Sequence, residues 1–296
     1  TAMGPGVTPG LDLASLRAVI AKAFPKLAGG VFTLHERGWD SVAVDVDGRV
    51  ICKFPRNAAA RVRLEREAAV LRILHPAVSL PTPDMRLHDG PPRFSRHDML
   101  AGGHLTPEVY AGLDEAGRDR LGADLGLFYA QLHALPDAPF AAAGAQTIEP
   151  WREPEDILRR AWPLLDGPLR AYAESTTAAW RALPSDPLGA IYGFFDGHGW
   201  NMAFDVSAGR LNGIYDFGDS GFGPRHQEFI YAVMIAPDAA RRTIDHYVRL
   251  TGLDLDRERI ALHYRYFRLS ELAHLAAEPR APQALAEMLA AREVRL

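Results

Sequence analysis

Residues 195–218 read FDGHGWNMAFDVSAGRLNGIYDFG, and no other part of the chain carries as much structural information. A turn-forming VSAG segment separates two runs that favour β-strand. Asp196 precedes Asn201 by five residues, and Asp216 opens the tripeptide DFG. A strand–turn–strand unit would bring these three polar side chains into one cleft. The predicted strands of this region are 190–195, Met202–Asp205 and 211–217.

The spacing of these residues indicates phosphoryl transfer. D-x-x-x-x-N followed by D-F-G is the order seen in kinases, where an aspartate receives the hydroxyl proton. Asp196 is therefore the candidate catalytic carboxylate, and Asn201 and Asp216 are candidate magnesium ligands, since their oxygens suit a hard cation. Gly197 and Gly199 would allow tight turns in the loop. The alternative is structural, with two turn-forming aspartates and an asparagine cap.

Lys53 is the candidate cation for nucleotide phosphates. It lies in a predicted strand at 49–54, which follows the hairpin signal DG. The chain has three lysines and 30 arginines, so a lysine in mid-strand suggests that a compact charge is needed there. A solvent-facing lysine on an edge strand is the alternative. A buried lysine needs an anion, and Glu67 in the following predicted helix is preferred over Glu65.

The loop at 38–41 is a further candidate contact for the nucleotide. Its backbone N–H groups and the Ser41 hydroxyl could cover the phosphates. The loop lacks the full glycine-rich kinase pattern, and a plain hairpin turn explains it equally well.

The order of predicted elements indicates an α+β fold with two lobes. A small antiparallel sheet lobe is expected at 11–105, and a larger, mainly helical lobe at 106–296. Residues 1–10 are rich in Gly and Pro and are predicted to be a disordered leader. The predicted helices are 11–27, 58–74, 113–135, 154–163 and 168–183, with a helical pattern from residue 224 that breaks at Gly252. The other predicted strands are 31–35, Ser41–Val46 and 93–100.

Composition narrows the class of protein. The single cysteine, Cys52, excludes an intramolecular disulfide framework and indicates the cytoplasm. The net charge of −4 argues against nucleic-acid binding, and no apolar run reaches the ~20 residues of a membrane helix. No secretory signal is visible. Residues 1–105 carry a formal charge of +4 and residues 106–296 carry −8, so the second lobe could face a cation.

Four segments together resemble the aminoglycoside phosphotransferase family, which is related to choline kinases. They are ERGWDSVAVDVDGRVICKFPR from residue 36, LEREAAVLRIL from 64, FFDGHGWNMAFD from 194 and LNGIYDFGDSGFGP from 211. The resemblance runs from about residue 11 to about residue 235 and implies a bilobal protein-kinase-like fold. By this resemblance, ATP or GTP binds with Mg²⁺, Lys53 holds the α- and β-phosphates, and Glu67 positions Lys53. The strand at 93–100 would end in a hinge that meets the adenine at Asp98, Met99 and Leu100.

The resemblance also implies a small-molecule hydroxyl acceptor. An aminoglycoside-like acceptor, and hence a role in antibiotic resistance, fits the acidic second lobe, with Asp219, Glu228 and Glu271 as candidate contacts. The alternative acceptors are a macrolide, an amino alcohol, a sugar or homoserine. The protein would act as a monomer or a homodimer.

One departure from the family pattern motivates a different class of function. The family commonly has His-Gly-Asp at the catalytic loop, whereas this chain has Phe194, Phe195 and Asp196. Phe194 could replace the histidine by packing, and the charged residues of the site all remain. The alternative is a pseudoenzyme that binds nucleotide and serves as an interaction module.

Overall fold

The computed structural model describes residues 11–35 and 40–296. The predicted leader at 1–10, and Gly38 and Trp39 of the predicted phosphate loop, lie outside the described residues. The chain divides into two compact units. The first runs to Gly103 and also includes Pro136–Ala145 and Met202–Gly218, and the second comprises His104–Leu135, Gln146–Asn201 and Asp219–Leu296.

Strands and helices are numbered here along the chain. The strands are β1 Phe32–His35, β2 Ser41–Val46, β3 Val50–Pro55, β4 Arg86–His88, β5 Phe94–Asp98, β6 Ala190–Gly193, β7 Met202–Asp205, β8 Arg210–Ile214 and β9 Gly221–Pro224. The helices are α1 Leu13–Ala23, α2 Ala58–Leu74, α3 Pro107–Ala111, α4 Glu115–His133, α5 Asp137–Ala142, α6 Pro154–Ala161, α7 Gly167–Ala182, α8 Ile230–Val233, α9 Pro237–Thr251, α10 Arg257–Leu275 and α11 Ala281–Ala291.

The first unit is built on a five-stranded antiparallel sheet in the order β1-β2-β3-β5-β4. Asp47 and Gly48 join β2 to β3 with left-handed φ angles of 59° and 63°, as the DG signal predicts. Alternate residues of β2 and β3 are buried and pack with Leu16 and Ile20 of α1. Successive side chains of a strand point to opposite faces, so Lys53 lies on the face of β3 that turns away from α1.

The predicted strand–turn–strand unit is present as the antiparallel pair β7 and β8, in which Met202 lies opposite Ile214. The backbone N–H of Ile214 also donates to the carbonyl oxygen of Pro81 at 3.0 Å, which connects the pair to the loop before β4 in the same unit. β8 ends three residues before the predicted limit. The reason is Asp216, whose left-handed φ of 68° cannot continue a strand.

The second unit has a mainly helical core around α10. Leu269 and Leu272 of α10 pack with Ile157 of α6 and Met288 of α11 in one buried cluster. Trp180 of α7 and Tyr266 of α10 stack against this cluster with ring centroids 4.2 Å apart. The apolar face of α10 therefore packs against α6 and α7, which precede it in the sequence, and against α11, which follows it.

Two strands were missed by the sequence analysis. β4 is only three residues long and follows a proline-rich loop, and β9 reads GFGP. Neither segment favours a strand by itself. Each forms by pairing with a partner, β4 with β5 and β9 with β6, so tertiary context creates both.

The other predicted elements are present with ends shifted by a few residues, and the α+β architecture is the one expected. The helical pattern predicted from residue 224 begins as a 3₁₀ turn, Arg225–Phe229, before α8. In the part of the chain that the structure describes, no helix is both long and apolar enough to cross a bilayer.

Candidate active site

Lys53 lies at the centre of a charged cluster in the first unit. Its Nζ is 2.9 Å from Glu67 Oε1 and 3.1 Å from Asp216 Oδ1. Burial alone would lower the pKa of Lys53, but the two carboxylates outweigh burial and raise it above its ordinary value. The lysine therefore remains an ammonium group with one side open toward Asp216.

Glu67 of α2 is the carboxylate that holds Lys53. Its side chain is 5% exposed, and Oε1 also accepts the backbone N–H of Phe217 at 3.3 Å. Burial raises the pKa of Glu67, and the ammonium group of Lys53 opposes that effect. Glu65, the competing candidate, instead pairs with Arg93 at 3.0 Å. One buried glutamate thus links β3, α2 and the DFG segment.

Asp216 presents a carboxylate that is 56% exposed. Its left-handed backbone turns the chain sharply after β8. The same segment is held at Gly218, whose carbonyl oxygen accepts a hydrogen bond from Arg66 of α2 at 3.2 Å. The exposed oxygen can therefore receive a cation while the other oxygen contacts Lys53.

The predicted hinge follows β5. The backbone N–H of Met99 donates to the carbonyl oxygen of Arg49 at 2.8 Å, so it is already used within the sheet. The Asp98 carboxylate is exposed and pairs with Arg96 at 3.0 Å. Leu100 lines an open groove, and Ser41 begins β2. The nucleotide contacts assigned to these four residues remain predictions.

Asp196 is held from two sides in the second unit. The side-chain amide of Asn201 donates to Asp196 Oδ2 at 2.6 Å and to the Asp196 carbonyl oxygen at 3.0 Å. His198 Nε2 lies 3.2 Å from Asp196 Oδ1. The five-residue spacing thus closes a tight loop in which the amide of Asn201 fixes the carboxylate.

Glu228, predicted as an acceptor contact, lies in the interior of the second unit. Its side chain has no exposed surface, and its two oxygens accept the backbone N–H groups of Phe194 and Phe195, each at 2.8 Å. The predicted acceptor contact at Glu228 is therefore wrong, because a fully buried carboxylate cannot meet a ligand. Its observed contacts brace the loop that carries Asp196.

A buried chain of polar groups extends from this brace. His133 Nε2 of α4 lies 3.4 Å from Glu228 Oε2, and His133 Nδ1 is 3.0 Å from the hydroxyl of Tyr247 in α9. Arg225 donates to the same hydroxyl at 2.7 Å. Burial lowers the pKa of His133, and the neighbouring Glu228 carboxylate acts in the opposite direction. Sequence analysis missed these hydrogen bonds because the residues that make them are far apart in the sequence.

The two loop glycines are required for a reason other than the predicted one. Neither Gly197 nor Gly199 has a left-handed φ. A Cβ atom on Gly197 would lie 2.0 Å from the Tyr129 hydroxyl oxygen, and one on Gly199 would lie 1.8 Å from the Leu105 carbonyl oxygen. Close packing, not turn geometry, excludes side chains here.

The left-handed residue of the loop is Phe195, with a φ of 51°. It occupies the position at which the family commonly has glycine. Such a backbone conformation costs an L-residue of this kind about 1–2 kcal/mol. Phe194 has no exposed surface and meets the ring of Phe128 edge-on at 6.4 Å. The departure from His-Gly-Asp is thus accommodated by aromatic packing and by the Glu228 brace.

The other two acceptor candidates are accessible. Asp219 is exposed and follows the DFG segment. Burial raises the pKa of Tyr231, and the nearby carboxylates of Asp196, Glu228 and Asp219 raise it further. Glu271 is half-buried and paired with Arg268 at 2.5 Å. The acceptor contacts at Asp219 and Glu271 stay predictions.

The donor chemistry fits the predicted magnesium ion. Asn201 uses its NH₂ group on Asp196, which leaves its amide oxygen available as a metal ligand, and Asp216 offers an exposed carboxylate. Oxygen donors suit Mg²⁺, which usually keeps waters and phosphate oxygens as further ligands. Among the described residues, no group of three or more His, Cys, Asp or Glu side chains could hold a metal by itself.

A small antiparallel sheet, a strand lysine held by a helix glutamate and a D-x-x-x-x-N loop define the protein-kinase-like class of phosphotransferases. The chain belongs to the phosphotransferase enzyme family, abbreviated APH, whose family model matches residues 31–263. The predicted family and enzyme class are thereby confirmed. No curated protein matches this chain in sequence.

Several solved structures share the fold. Wild-type aminoglycoside 2'-phosphotransferase-IIIa in its GDP complex is similar with a TM-score of 0.79 and 19% identity, over 95% of this chain and 98% of that one. A macrolide 2'-phosphotransferase apoenzyme from Brachybacterium faecium has a TM-score of 0.69 and 18% identity, over 96% and 100%. The ternary complex of APH(2")-IIa with streptomycin and ATP has a TM-score of 0.63 and 18% identity, over 92% and 96%. These likenesses confirm the predicted protein-kinase-like fold.

Proposed function

We propose that this protein transfers the γ-phosphoryl group of ATP or GTP to a hydroxyl group of a small molecule, with Mg²⁺ as cofactor. The observation that carries the proposal is the contact of Lys53 with both Glu67 and Asp216. Kinases bind nucleotide phosphates with a strand lysine that a helix glutamate positions, beside the aspartate of DFG. If Lys53 had only a structural role, its pairing with the buried Glu67 would be sufficient, and the exposed carboxylate of Asp216 would not be needed beside it.

Each cluster has a separate task in the reaction. Lys53 would bind the α- and β-phosphates through its positive charge. Asp196 would orient the acceptor hydroxyl and take its proton as the hydroxyl oxygen bonds to the γ-phosphorus and the bond to the β-phosphate oxygen breaks. The amide of Asn201 supports this step because it fixes Asp196 Oδ2. Mg²⁺, held by Asn201 and Asp216, would supply charge neutralisation of the phosphates.

The proposed acceptor is an aminoglycoside-like hydroxyl compound, and a macrolide, amino alcohol, sugar or homoserine is the alternative. The family match supports phosphoryl transfer, and an aminoglycoside and a macrolide phosphotransferase are both among the similar structures. With such acceptors the protein would act in the cytoplasm and would confer antibiotic resistance. A monomer suffices for this chemistry, and a homodimer is compatible with it.

The deciding experiment couples the release of ADP or GDP to a spectroscopic signal, with Mg²⁺ present, over a panel of these acceptors. Asp196→Asn is the test variant because it keeps the size of the side chain and removes the proton acceptor. Asp254→Asn is the matched control, since Asp254 is exposed on the loop before α10. We expect one acceptor class to stimulate turnover in the wild type and the control, and not in Asp196→Asn.

Two outcomes would contradict the proposal. Equal turnover in wild type and Asp196→Asn would remove the catalytic role of Asp196. Nucleotide binding with no turnover on any acceptor would support the nucleotide-binding interaction module instead.

A further inference from the structure

His198 faces the proposed catalytic carboxylate, yet the proposed reaction gives it no task. Its Nε2 lies 3.2 Å from Asp196 Oδ1, which is within reach of a hydrogen bond. The side chains of His198 and Asp196 are 21% and 24% exposed, so neither is fully buried. The Asp196 carboxylate therefore has a partner on each oxygen, Asn201 on Oδ2 and His198 on Oδ1.

The chemistry of the two groups fixes the direction of this contact. An ionised carboxylate can only accept hydrogen bonds, so the His198 atom that faces it must carry a proton. The neutral ring with its proton on Nε2 and the doubly protonated ring both meet that condition. The contact therefore does not depend on whether the imidazole is charged.

The backbone on both sides of His198 is fixed by hydrogen bonds. The N–H of His198 donates to the Asp196 carbonyl oxygen at 2.8 Å, and the His198 carbonyl oxygen accepts the N–H of Asn201 at 3.0 Å. The Gly199 carbonyl oxygen accepts the N–H of Leu105 at 3.0 Å, which attaches the loop to the segment before α3. The imidazole is thus carried by a backbone that has little freedom to move.

The positions next to His198 cannot replace it. A Cβ atom on Gly197 or on Gly199 would lie 2.0 Å or 1.8 Å from a neighbouring oxygen atom, so neither position can carry a side chain. Within the described tripeptide 197–199, the middle position alone therefore has room for a side chain, and that side chain faces the carboxylate.

We propose that His198 is a positioning residue for phosphoryl transfer, whose Nε2–H group holds Asp196 Oδ1 while Asn201 holds Oδ2. The proposal rests on the proposed function and extends it. The last torsion angle of an aspartate side chain is broadly distributed, so a carboxylate held at one oxygen can still turn. Donors on both oxygens fix its plane and leave lone pairs free for the acceptor hydroxyl. Positioning of this kind is the main contribution of a protein to phosphoryl transfer.

Two amide variants of different length test this role. The NH₂ group of His198→Gln lies as many bonds from the backbone as Nε2 of histidine, whereas that of His198→Asn is one bond shorter and cannot reach Asp196 Oδ1. We expect kcat to fall about tenfold or more in His198→Asn and to stay within about threefold of wild type in His198→Gln. The KM for nucleotide should change by less than about twofold in both, because the lost contact acts on Asp196 and not on the phosphates.

A histidine outside the loop provides the matched control. His246 of α9 makes a similar contact, with its Nε2 3.1 Å from Asp119 Oδ1 of α4. His246→Asn removes that contact and should leave kcat and the KM for nucleotide unchanged. The acceptor in these assays is the compound that stimulates turnover of the wild type most strongly.

Urea unfolding measures the contact without an acceptor. Four proteins form a double-mutant cycle: wild type, His198→Asn, Asp196→Ala and the variant with both changes. If Nε2–H holds the carboxylate, His198→Asn should destabilise the wild type more than it destabilises Asp196→Ala. Fluorescent-nucleotide titration of each variant reports whether it is folded.

Three results would overturn the proposal. They are a kcat of His198→Asn within about twofold of wild type, an equal loss of kcat in His198→Gln and His198→Asn, and an effect of His198→Asn on unfolding that is the same with and without Asp196. Failure of the proposed function is a distinct result, since no acceptor would then stimulate turnover in the wild type. In that event His198 has no part in phosphoryl transfer, even where the unfolding cycle shows the contact.

Discussion

Glu228 Oε1 accepts a hydrogen bond of 2.8 Å from the backbone N–H of Phe195, the residue before the proposed catalytic aspartate. The second oxygen of the same carboxylate accepts the N–H of Phe194 at 2.8 Å. Phe195 has a left-handed backbone, which an aromatic residue rarely adopts. The buried carboxylate therefore holds in place a conformation that the sequence of the loop does not favour.

Glu228→Gln should destabilise the protein by about 1–3 kcal/mol, because an amide can accept only one of the two N–H groups and turns an NH₂ group toward the other. A shifted loop should also lower kcat by about tenfold to a hundredfold, with little change in the KM for nucleotide. Urea unfolding and steady-state kinetics would measure both effects. Glu174→Gln, an exposed position of α7, is the control. A Glu228→Gln variant with wild-type stability would refute the brace.

The close approach of Gly197 and Tyr129 makes a second prediction. Gly197→Ala should lower stability and kcat together, because its Cβ would lie 2.0 Å from the Tyr129 hydroxyl oxygen. Tyr129→Phe should itself cost little, because this buried hydroxyl has no hydrogen-bond partner among the residues that the structure describes. In the double variant the nearest atom would be the ring carbon at 3.3 Å. Thermal unfolding should show that adding Tyr129→Phe to Gly197→Ala restores most of the stability that Gly197→Ala loses. If the stability losses of the two single variants simply add in the double variant, this account is contradicted.

Removal of Lys53 should leave a buried and unpaired carboxylate. Lys53→Met should therefore destabilise the protein by about 3–5 kcal/mol and weaken nucleotide binding. Adding Glu67→Gln should recover part of the stability, because it removes the uncompensated charge, but should not recover nucleotide binding. Lys22→Met, at an exposed position of α1, is the control. Urea unfolding and fluorescent-nucleotide titration would measure the two quantities, and additive losses in stability would argue against the pairing.

Asp186 should make stability depend on acid pH. Burial would raise the pKa of Asp186, but hydrogen bonds from the ring and backbone of His226 and from the Leu188 N–H lower it to about 2. A folded-state pKa below the ordinary 3.8 means that the stabilisation is complete above pH 3.8 and is lost as the pH falls through about 2. The loss should be about 2 kcal/mol, at 1.36 kcal/mol per pKa unit.

Urea unfolding of wild type and Asp186→Asn between pH 2 and pH 6 would check this prediction. The two proteins should differ most at pH 6 and converge as the pH approaches 2. Asp254→Asn is the control because Asp254 is exposed. A difference between wild type and Asp186→Asn that is the same at every pH would contradict the assignment.

Local patterns were enough to predict much of the site. The D-x-x-x-x-N spacing predicts that Asp196 and Asn201 share one loop, and in the structure a hydrogen bond of 2.6 Å joins their side chains. The preference for Glu67 over Glu65 rests on the kinase pattern, in which a strand lysine pairs with a glutamate of the following helix, and the two glutamates fall on different faces of that helix. The DG signal likewise predicts the β2–β3 hairpin, although the structure pairs Val46 with Val50, so that β3 begins one residue after the predicted start at 49.

Long-range pairing was beyond the reach of the sequence. β9 has the composition of a turn and becomes a strand only against β6. Glu228 and Glu271 are both glutamates of the acidic second lobe, yet the first is buried against a backbone loop and the second pairs with Arg268 in a cavity wall. Formal charge alone cannot separate these two environments.

The sequence by itself determined the order of elements, the phosphotransferase family and the residues proposed for phosphate and proton transfer. These depend on interactions over a few residues, such as strand alternation, helix periodicity and loop spacing. Only the tertiary structure decided which carboxylates are exposed and which are buried against the backbone. The physical reason is that burial and ion pairing depend on partners from distant segments, as for Glu228 with Phe195 and Arg268 with Glu287.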